Sequence, residues 1–253
     1  MSHKAGFVNI IGKPNVGKST LMNALMGEKL SIITHKAQTT RHRIKGIINS
    51  ENYQIVFSDT PGVIKPAYKL QKKMMSFVES AFEDADVIIL LLEVGEKNVD
   101  EIIQKKISET EVPVVVALNK TDTVTPEQVK LAIDHWKKQL PGKDILPIAA
   151  MGNYNTDKLL KKIVELLPES PPYYPKDEAF SDRSERFFVS EIIREKILLY
   201  YNKEIPYSTE VAIDSFKEED NIIRIRALIF VERDTQKGIL IGHKGGPLKK
   251  VGT

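Results

Sequence analysis

The sequence predicts a doubly wound α/β domain over residues 1–168 and a smaller α+β domain over residues 187–253. Short β-branched runs alternate with helical patterns through the first region, which is typical of a mostly parallel sheet covered by helices. A break follows, in which four prolines fall within the eight residues from Pro168 to Pro175. No helix or strand interior accepts proline at that density. Residues 169–186 are therefore predicted to form a semi-rigid linker.

The first domain contains six candidate strands, and most of them are separated by a helical pattern. The second and third candidates are too close along the chain for a crossover helix, so this pair is predicted to be an antiparallel hairpin. The candidates are Val8 to Ile11, Ile44 to Ile48, Gln54 to Phe57, Val87 to Leu92, Val112 to Leu118 and Ile145 to Ile148.

Composition narrows the class of protein further. The 253 residues contain no Cys, which excludes disulfides and thiolate metal sites and favours a reducing compartment. The longest apolar run, Val87 to Leu92, is too short to span a bilayer, and the N-terminus has no apolar signal core. We therefore expect a soluble, cytoplasmic protein. The net charge of +3 is modest, so composition alone does not predict nucleic-acid binding.

The first functional motif lies between the first strand and the first helix. Residues Gly12 to Ser19 fit the P-loop pattern G-x-x-x-x-G-K-[ST], whose glycines turn backbone N–H groups toward phosphates at a helix N-terminus. Lys18 is expected to reach the terminal phosphates, and the Ser19 hydroxyl to hold Mg²⁺. The nucleotide-binding residues predicted here are Gly12, Lys13, Pro14, Asn15, Val16, Gly17, Lys18, Ser19 and Thr20.

Two more motifs follow strands of the same sheet, where ligands of such folds bind. In Asp59-Thr60-Pro61-Gly62, Asp59 is expected to hold the Mg²⁺ shell and the Gly62 N–H to meet a γ-phosphate. In Asn119-Lys120-Thr121-Asp122, the Asp122 carboxylate can accept two N–H bonds from guanine that adenine lacks, which selects GTP over ATP. Taken alone, Asp122 is equally consistent with a helix N-cap.

The order and spacing of these three motifs resemble the Ras-like GTPase family, from Gly6 to about Leu167. The resemblance implies a P-loop GTPase sheet with a first switch between Leu30 and Arg43. It also implies that Thr40 joins the Mg²⁺ shell when GTP is bound, although the adjacent Thr39 stays an alternative. A second switch is expected from Val63 to about Lys73. Its lysines are interpreted first as a solvated helix face; they are Lys65, Lys69, Lys72 and Lys73.

The chain departs from that family at three positions. Val63 stands where Ras-type enzymes carry a water-positioning glutamine, so slow intrinsic hydrolysis is expected. We hypothesise that Asn15 helps to bind a monovalent cation, K⁺, as in relatives with this asparagine; the alternative is a simple turn residue. The predicted catalytic set is Lys18, Thr40, Gly62 and Asn15. In the guanine-capping loop, the Ala150 N–H is expected to meet the guanine oxygen, but Ala149 replaces a serine whose hydroxyl braces the loop.

The second domain begins with an amphipathic helix and two strands. The helix is predicted to run to about Asn202, and the strands centre on Val211 to Ile213 and Ile223 to Ile225. The apolar residues at helical spacing are Val189, Ile192, Ile193, Ile197, Tyr200 and Tyr201.

A glycine-rich turn, Gly242 to Gly245, follows between two predicted helices. This G-x-x-G arrangement is typical of a KH domain, which clamps a single-stranded RNA backbone; the alternative is a plain helix–turn–helix. Residues Gln236 to Thr253 carry four lysines and no acid, a charge that favours RNA. The predicted RNA-binding residues are Lys237, Gly242, His243, Lys244, Gly245, Lys249 and Lys250.

A GTPase domain, a proline-rich linker and a KH-type domain in this order resemble the Era family over the whole chain. Local matches are Lys36 to Arg43, Asp182 to Phe187 and Glu191 to Lys196. The resemblance implies a bacterial ribosome-assembly GTPase that binds GTP, GDP and the 3′ end of small-subunit ribosomal RNA on the small subunit, with GTP favouring the RNA-competent state. It leaves open peripheral association with the inner face of the cell membrane, and a monomer is expected.

Two further expectations concern the second domain. A KH domain of this type should continue with the rest of its second helix and a third strand, so we expect a truncated chain with weakened RNA affinity. The alternative function is a signalling GTPase whose second domain docks protein rather than RNA. A P-loop phosphotransferase is disfavoured by Asp122. The five histidines show no metal-ligand spacing, and Trp136 is expected to serve packing.

Overall fold

The computed structural model describes residues 2–34, 36, 39–64, 66, 67, 69–176 and 180–253. The chain divides into two compact units. Unit 1 comprises Met1–Ser31 and Thr40–Asp182, and unit 2 comprises Ile32–Thr39 and Arg183–Thr253. Part of the predicted first switch is thus grouped with the second domain. The predicted switch residues Lys65, Ala37 and Gln38 lie outside the described residues, as does His35.

Unit 1 contains a six-stranded sheet in the order β2-β3-β1-β4-β5-β6. Strand β1 pairs in parallel with β3 and β4, and β4, β5 and β6 continue in parallel, whereas β2 pairs antiparallel with β3. This confirms the predicted doubly wound sheet with one antiparallel hairpin. The strands are β1 (Lys4–Ile11), β2 (Ile44–Asn49), β3 (Tyr53–Asp59), β4 (Val87–Glu93), β5 (Val114–Asn119) and β6 (Ile145–Pro147).

Helices cover this sheet, so residues 87–92 of β4 are buried along their whole length. Helix α4 begins at a capping box in which Thr125 accepts from the Gln128 N–H, with Pro126 in the first turn. Trp136, on the same helix, is completely buried, as its predicted packing role requires. The helices are α1 (Lys18–Met26), α2 (Lys69–Glu83), α3 (Glu101–Glu109), α4 (Pro126–Gln139) and α5 (Thr156–Leu166).

Unit 2 contains one long helix, an antiparallel hairpin and two short helices. Their small core includes Ile197, Tyr201, Val211 and Leu240. The pairing of β7 with β8 shifts register between Ile213 and Ser215, which marks a β-bulge. The elements are α6 (Glu185–Tyr200), β7 (Thr209–Glu219), β8 (Ile222–Val231), α7 (Asp234–Ile241) and α8 (Gly246–Val251).

The apolar spacing of α6 predicts its buried face only in part, since Ile197 and Tyr201 are buried as expected. Ile192 and Tyr200 are 54% and 49% exposed, whereas Glu191, Arg194 and Glu195 are buried. Arg194 donates to both Glu191 carboxylate oxygens, at 2.7 and 2.6 Å, and its Nη2 also donates to the Thr39 carbonyl at 2.6 Å. Charged groups can be buried when they are paired and hydrogen-bonded in this way. Residues 222–226 of β8 are exposed throughout, so Ile223 and Ile225 do not contribute to the core.

Among the described residues, no helix is both long and apolar enough to cross a membrane.

Candidate functional site

The phosphate-binding loop of unit 1 is shaped by glycines that cannot be replaced without a clash. It connects the end of β1 to the start of α1 at Lys18. Asn15 and Gly17 adopt left-handed backbone angles, with φ of 64° and 101°. A Cβ atom at Gly17 would collide with the Asn119 side chain, and one at Gly12 with the Leu91 carbonyl. At Gly12 and Gly17 the loop backbone therefore lies closer to β4 and β5 than a side chain at either position would permit.

Lys18 lies inside this loop as a buried ammonium group. Its Nζ donates to the carbonyls of Gly12 at 3.1 Å and Lys13 at 2.7 Å. Burial lowers the pKa of Lys18 to about 8, although the charges of Asp59 and Glu96 act in the opposite direction. Neutral carbonyls thus hold the Lys18 amine in a position from which it can donate a hydrogen bond to an incoming phosphate.

Three oxygen-bearing side chains converge beside the loop: Ser19, Thr40 and Asp59. Ser19 Oγ donates to Asp59 Oδ2 at 2.7 Å and lies 3.0 Å from Thr40 Oγ1, which is 3.3 Å from the same carboxylate oxygen. Asp59 is fully buried, and within the described part of the chain its Oδ1 has no hydrogen-bond partner. Burial raises the pKa of Asp59, against hydrogen bonds from Ser19 and the charge of Lys18.

The chemistry of this cluster fits Mg²⁺. A buried carboxylate oxygen without a partner is costly unless something else satisfies it, and hydroxyl and carboxylate oxygens are the ligands that this hard cation prefers. The same geometry separates the two candidate threonines. Thr39 Oγ1 lies 3.0 Å from Thr34 Oγ1 and donates to the Lys36 carbonyl at 2.7 Å, so only Thr40 belongs to the cluster.

The segment after β3 packs tightly against the phosphate loop. A Cβ atom at Gly62 would lie 2.7 Å from Pro14 Cα, so glycine is required there. The Val63 N–H donates to the Gly12 carbonyl at 3.1 Å, while its side chain is only 3% exposed and belongs to the core of unit 1. A valine so placed cannot orient a water molecule. Thr60 donates to the Ile10 carbonyl at 2.7 Å and so ties this segment to β1.

The predicted guanine motif is joined to the phosphate loop through Asn119. Its Nδ2 donates to the Val16 carbonyl at 2.8 Å, and its Oδ1 accepts the Ala150 N–H at 3.0 Å. Thr121 donates to the Ile148 carbonyl through both its N–H and its hydroxyl, at 3.2 and 2.9 Å. One asparagine therefore links the first and last loops of the site.

The N-cap interpretation of Asp122 is excluded by the start of α4. Thr125 caps that helix, and Gln128 completes the capping box. Asp122 instead lies in a short 3-10 turn with its residue exposed. Its carboxylate therefore does not cap α4.

The guanine-capping loop differs from expectation in two respects. The Ala150 N–H already donates to Asn119, so a guanine oxygen must share or displace that bond. The hydroxyl missing at Ala149 is replaced by a backbone pair, in which Ala149 and Tyr154 exchange N–H···O bonds of 3.1 Å in both directions. This brace uses only main-chain atoms, so no residue type in the loop indicates it.

Two acidic residues, one at the end of β4 and one three residues after it, pair with lysines of the sequence motifs but belong to none of those motifs. Lys13 Nζ pairs with Glu96 at 2.7 Å, and Lys120 Nζ pairs with Glu93 at 2.9 Å. The available signal was the position of Glu93, directly after an apolar strand and hence at the edge of the sheet where the other motifs lie. A cavity of about 400 Å³ opens between these residues and the phosphate loop.

The glycine turn of unit 2 has the predicted form. Helix α7 ends at Ile241, and Gly242, Lys244 and Gly245 then take φ angles of 68°, 50° and 73°. A Cβ atom at Gly242 would collide with the ring of Pro247. The predicted RNA-binding side chains are all exposed: Lys237, His243, Lys244, Lys249 and Lys250.

The lysines of the second switch that the structure describes are likewise exposed: Lys69, Lys72 and Lys73.

A phosphate loop with a magnesium-type oxygen cluster, a guanine motif and an attached G-x-x-G unit defines a GTPase with a KH domain. Family comparison agrees: the 50S ribosome-binding GTPase family matches residues 7–120, and the KH domain family matches residues 204–253. More particularly, relatives that are 45% identical over nearly the whole chain show that it belongs to the Era family of GTPases, and GTP hydrolysis is its activity.

The curated relatives are similar along nearly the whole chain. GTPase Era of Syntrophus aciditrophicus is 45% identical over 99% of this chain and 83% of that protein. GTPase Era of Geotalea daltonii is 45% identical over 98% of this chain and 84% of that protein.

Solved structures of Era have the same fold. One shows Era with MgGDPNP and nucleotides 1506–1542 of 16S ribosomal RNA; it matches with a TM-score of 0.93 and 40% identity, over 99% of this chain and 86% of that chain. A variant of Aquifex aeolicus Era bound to GDP and AlF4⁻ matches with a TM-score of 0.92 and 39% identity, over 98% and 86% of the two chains.

Proposed function

We propose that this GTPase couples its nucleotide state to binding of the 3′-terminal region of small-subunit ribosomal RNA, as part of ribosome assembly. The observation that carries the proposal is the division of the first switch. Residues 32–34, 36 and 39 are grouped with the KH unit, whereas Thr40, the next residue after Thr39, lies beside Asp59 in the GTPase unit. Because Thr39 and Thr40 are consecutive residues, we propose that a change in the position of Thr40 affects the segment grouped with the KH unit.

Within unit 1 we propose the following roles. Lys18 leaves the carbonyls of Gly12 and Lys13 and donates to the terminal phosphates of GTP. The Gly62 N–H donates to the γ-phosphate, and Asp122 accepts the guanine N–H groups. The remaining nucleotide-binding residues shape and link these loops: Pro14, Val16, Gly17, Thr20, Thr60, Pro61, Asn119, Lys120, Thr121 and Ala150.

Ser19, Thr40 and Asp59 would hold Mg²⁺, which when bound neutralises charge on the β- and γ-phosphates. The unpartnered Oδ1 of Asp59 and the neighbouring hydroxyls support this set of ligands. By the family resemblance, Thr40 contributes its hydroxyl to this set when GTP is bound. The protein residues thereby distinguish GTP from GDP by the position of one hydroxyl.

Hydrolysis in this site proceeds without a glutamine after Gly62. Because Val63 is buried in the core, we propose that Asn15 assists a bound K⁺ near the bridge between the β- and γ-phosphates. The left-handed backbone of Asn15, with φ of 64°, places it within the turn of the phosphate loop. Support for K⁺ comes from the asparagine and from the buried valine together.

We also propose a cytoplasmic, ribosome-associated monomer, with peripheral contact at the inner face of the membrane. These statements follow the Era resemblance. Flotation of the chain with vesicles that contain anionic lipid, in parallel with neutral vesicles, tests the membrane contact.

RNA binding is tested by charge reversal at the glycine turn. In the Lys244→Glu variant, the affinity for an RNA of the 16S 3′-terminal sequence should fall by at least about tenfold, and the salt dependence should lose roughly one phosphate contact. Fluorescence anisotropy with the chain bound to a non-hydrolysable GTP analogue measures both quantities.

The matched control is Lys130→Glu, which reverses an exposed charge on α4 of unit 1. It should leave the RNA affinity within about twofold, since it changes net charge equally but lies outside the turn. Equal losses in both variants, or no RNA binding by the unaltered chain, would contradict the proposal. Binding of protein partners that ignores Lys244 would favour the docking alternative.

A further inference from the structure

A network of four polar side chains lies in unit 1, where the predicted first switch ends and β2 begins. Arg43 stands at its centre, immediately before β2. Its Nη2 donates to Asn9 Oδ1 at 2.9 Å and to Asp84 Oδ1 at 2.8 Å. Its Nε donates to Ser58 Oγ, and its Nη1 to Asp84 Oδ2. These four hydrogen bonds tie the guanidinium to three other side chains.

The network joins elements that are far apart in sequence. Asn9 belongs to β1, Ser58 to β3, and Asp84 directly follows the end of α2. Asn9 also donates to the Ala81 carbonyl at 2.6 Å and to Asp84 Oδ1 at 2.8 Å. One guanidinium therefore connects two central strands to the carboxyl end of α2, the helix whose first turn belongs to the predicted second switch.

Burial makes this arrangement sensitive to its geometry. Asn9 and Ser58 are completely buried, and the Arg43 side chain is 11% exposed. A buried guanidinium is costly unless its donors are satisfied. Partial burial acts to raise the pKa of Asp84, but hydrogen bonds and charge from Arg43, with help from Asn9 and Lys45, hold it below the usual value. Asp84 therefore stays a carboxylate and keeps Arg43 paired.

The network is adjacent to the magnesium-type cluster on two sides. Ser58 precedes Asp59 in β3, and Ile44, the residue after Arg43, pairs with Asp59 across the β2–β3 hairpin. Thr40 lies three residues before Arg43 on the same segment. Because the Arg43 side chain is bonded to Ser58, the short segment between Arg43 and Thr40 limits how far Thr40 can move away from Asp59.

We infer that Arg43 is a positioning residue for the first switch: its guanidinium anchors the chain between Thr40 and β2, so that the Thr40 hydroxyl is presented beside Asp59. Arginine is required because its planar group donates in several fixed directions, whereas lysine offers one compact ammonium. This inference rests on the proposed Mg²⁺ role of Thr40.

The test compares nucleotide affinities of the Arg43→Lys variant. Affinity for a fluorescent non-hydrolysable GTP analogue with Mg²⁺ should fall about tenfold, as is usual when a group supporting a metal ligand is lost. Affinity for labelled GDP should stay within about twofold, because Thr40 contributes only to the GTP state. Equal losses for both nucleotides, or no loss for either, would overturn the inference.

Two controls separate positioning from general damage. Val78→Ala trims the core on α2, where Val78 is 2% exposed, and should lower thermal stability without changing the ratio of the two affinities. If Arg43→Lys does not fold, Asp84→Asn replaces it, because Asp84 is half exposed and accepts two of the four bonds. Asp84→Asn should show the same selective loss of affinity for the GTP analogue. If this selective loss does not occur, the inference is equally overturned.

A double-mutant cycle distinguishes this inference from the function on which it rests. Thr40→Ala should by itself weaken the GTP analogue selectively; if it does not, the Mg²⁺ role of Thr40 is wrong. If it does, Arg43→Lys should add little in the Thr40→Ala background, since both changes remove the same contact. Additive losses in the double variant would show that Arg43 acts elsewhere and would refute the positioning role alone.

Discussion

Asn15 illustrates how far one residue can be interpreted from sequence. Its position in the phosphate loop suggested either a turn residue or a cation ligand, and its left-handed φ of 64° is compatible with both. Asp122 was equally ambiguous, but there the structure removes one alternative, because Thr125 caps α4. The difference arises because a helix cap is recognised from a hydrogen bond to the backbone, whereas a cation site is recognised from the bound cation.

Asn15 can be tested by the cation dependence of hydrolysis. Single-turnover GTP hydrolysis should be at least about tenfold faster in K⁺ than in Na⁺, since K⁺ supplies charge that an arginine finger supplies elsewhere. The Asn15→Gly variant should lose that difference while keeping the loop, because glycine adopts this backbone angle without strain. Equal rates in the two salts for the unaltered chain, or K⁺ stimulation that survives in Asn15→Gly, would refute the role.

Among the elements, the strands of unit 1 were predicted to within a few residues, whereas the buried face of α6 was predicted only in part. A central strand such as β4 is buried on both faces, so its apolar run is itself the signal. On α6 the buried residues include Glu191, Arg194 and Glu195, which no apolar pattern can indicate. Their partner, the Thr39 carbonyl, comes from a segment more than a hundred residues away along the chain.

The buried pair on α6 predicts a large and local loss of stability. Arg194→Met should destabilise unit 2 by about 3–5 kcal/mol, because it leaves Glu191 charged, buried and unpaired. Adding Glu191→Leu should recover most of this loss, since the unpaired charge is then removed. Urea unfolding followed by circular dichroism measures the effect.

The single tryptophan provides the internal control for this experiment. Trp136 lies in unit 1, so its fluorescence reports the unfolding of that unit. The fluorescence transition should move much less than the dichroism transition in Arg194→Met. Equal shifts of both transitions, or a double variant as unstable as the single one, would contradict the assignment of this pair to unit 2.

At the scale of the whole molecule, the sequence predicted two domains and their classes, but not the membership of residues 32–39. The motif spacing assigned the entire first switch to the GTPase domain. In the structure this segment is grouped with the KH unit, where Lys36 Nζ donates to the Leu198 carbonyl at 2.5 Å and to Asn202 at 3.2 Å. Contacts between distant segments of the chain determine this grouping, and local patterns carry no record of them.

The central claim is that the nucleotide bound in unit 1 controls RNA binding by unit 2. It is tested most directly by measuring the affinity of the full chain for the 16S 3′-terminal RNA, once with GDP and once with a non-hydrolysable GTP analogue. We predict tighter binding in the GTP-analogue state by at least about fivefold, a typical coupling between two sites. Equal affinities in the two states, or tighter binding with GDP, would contradict the account.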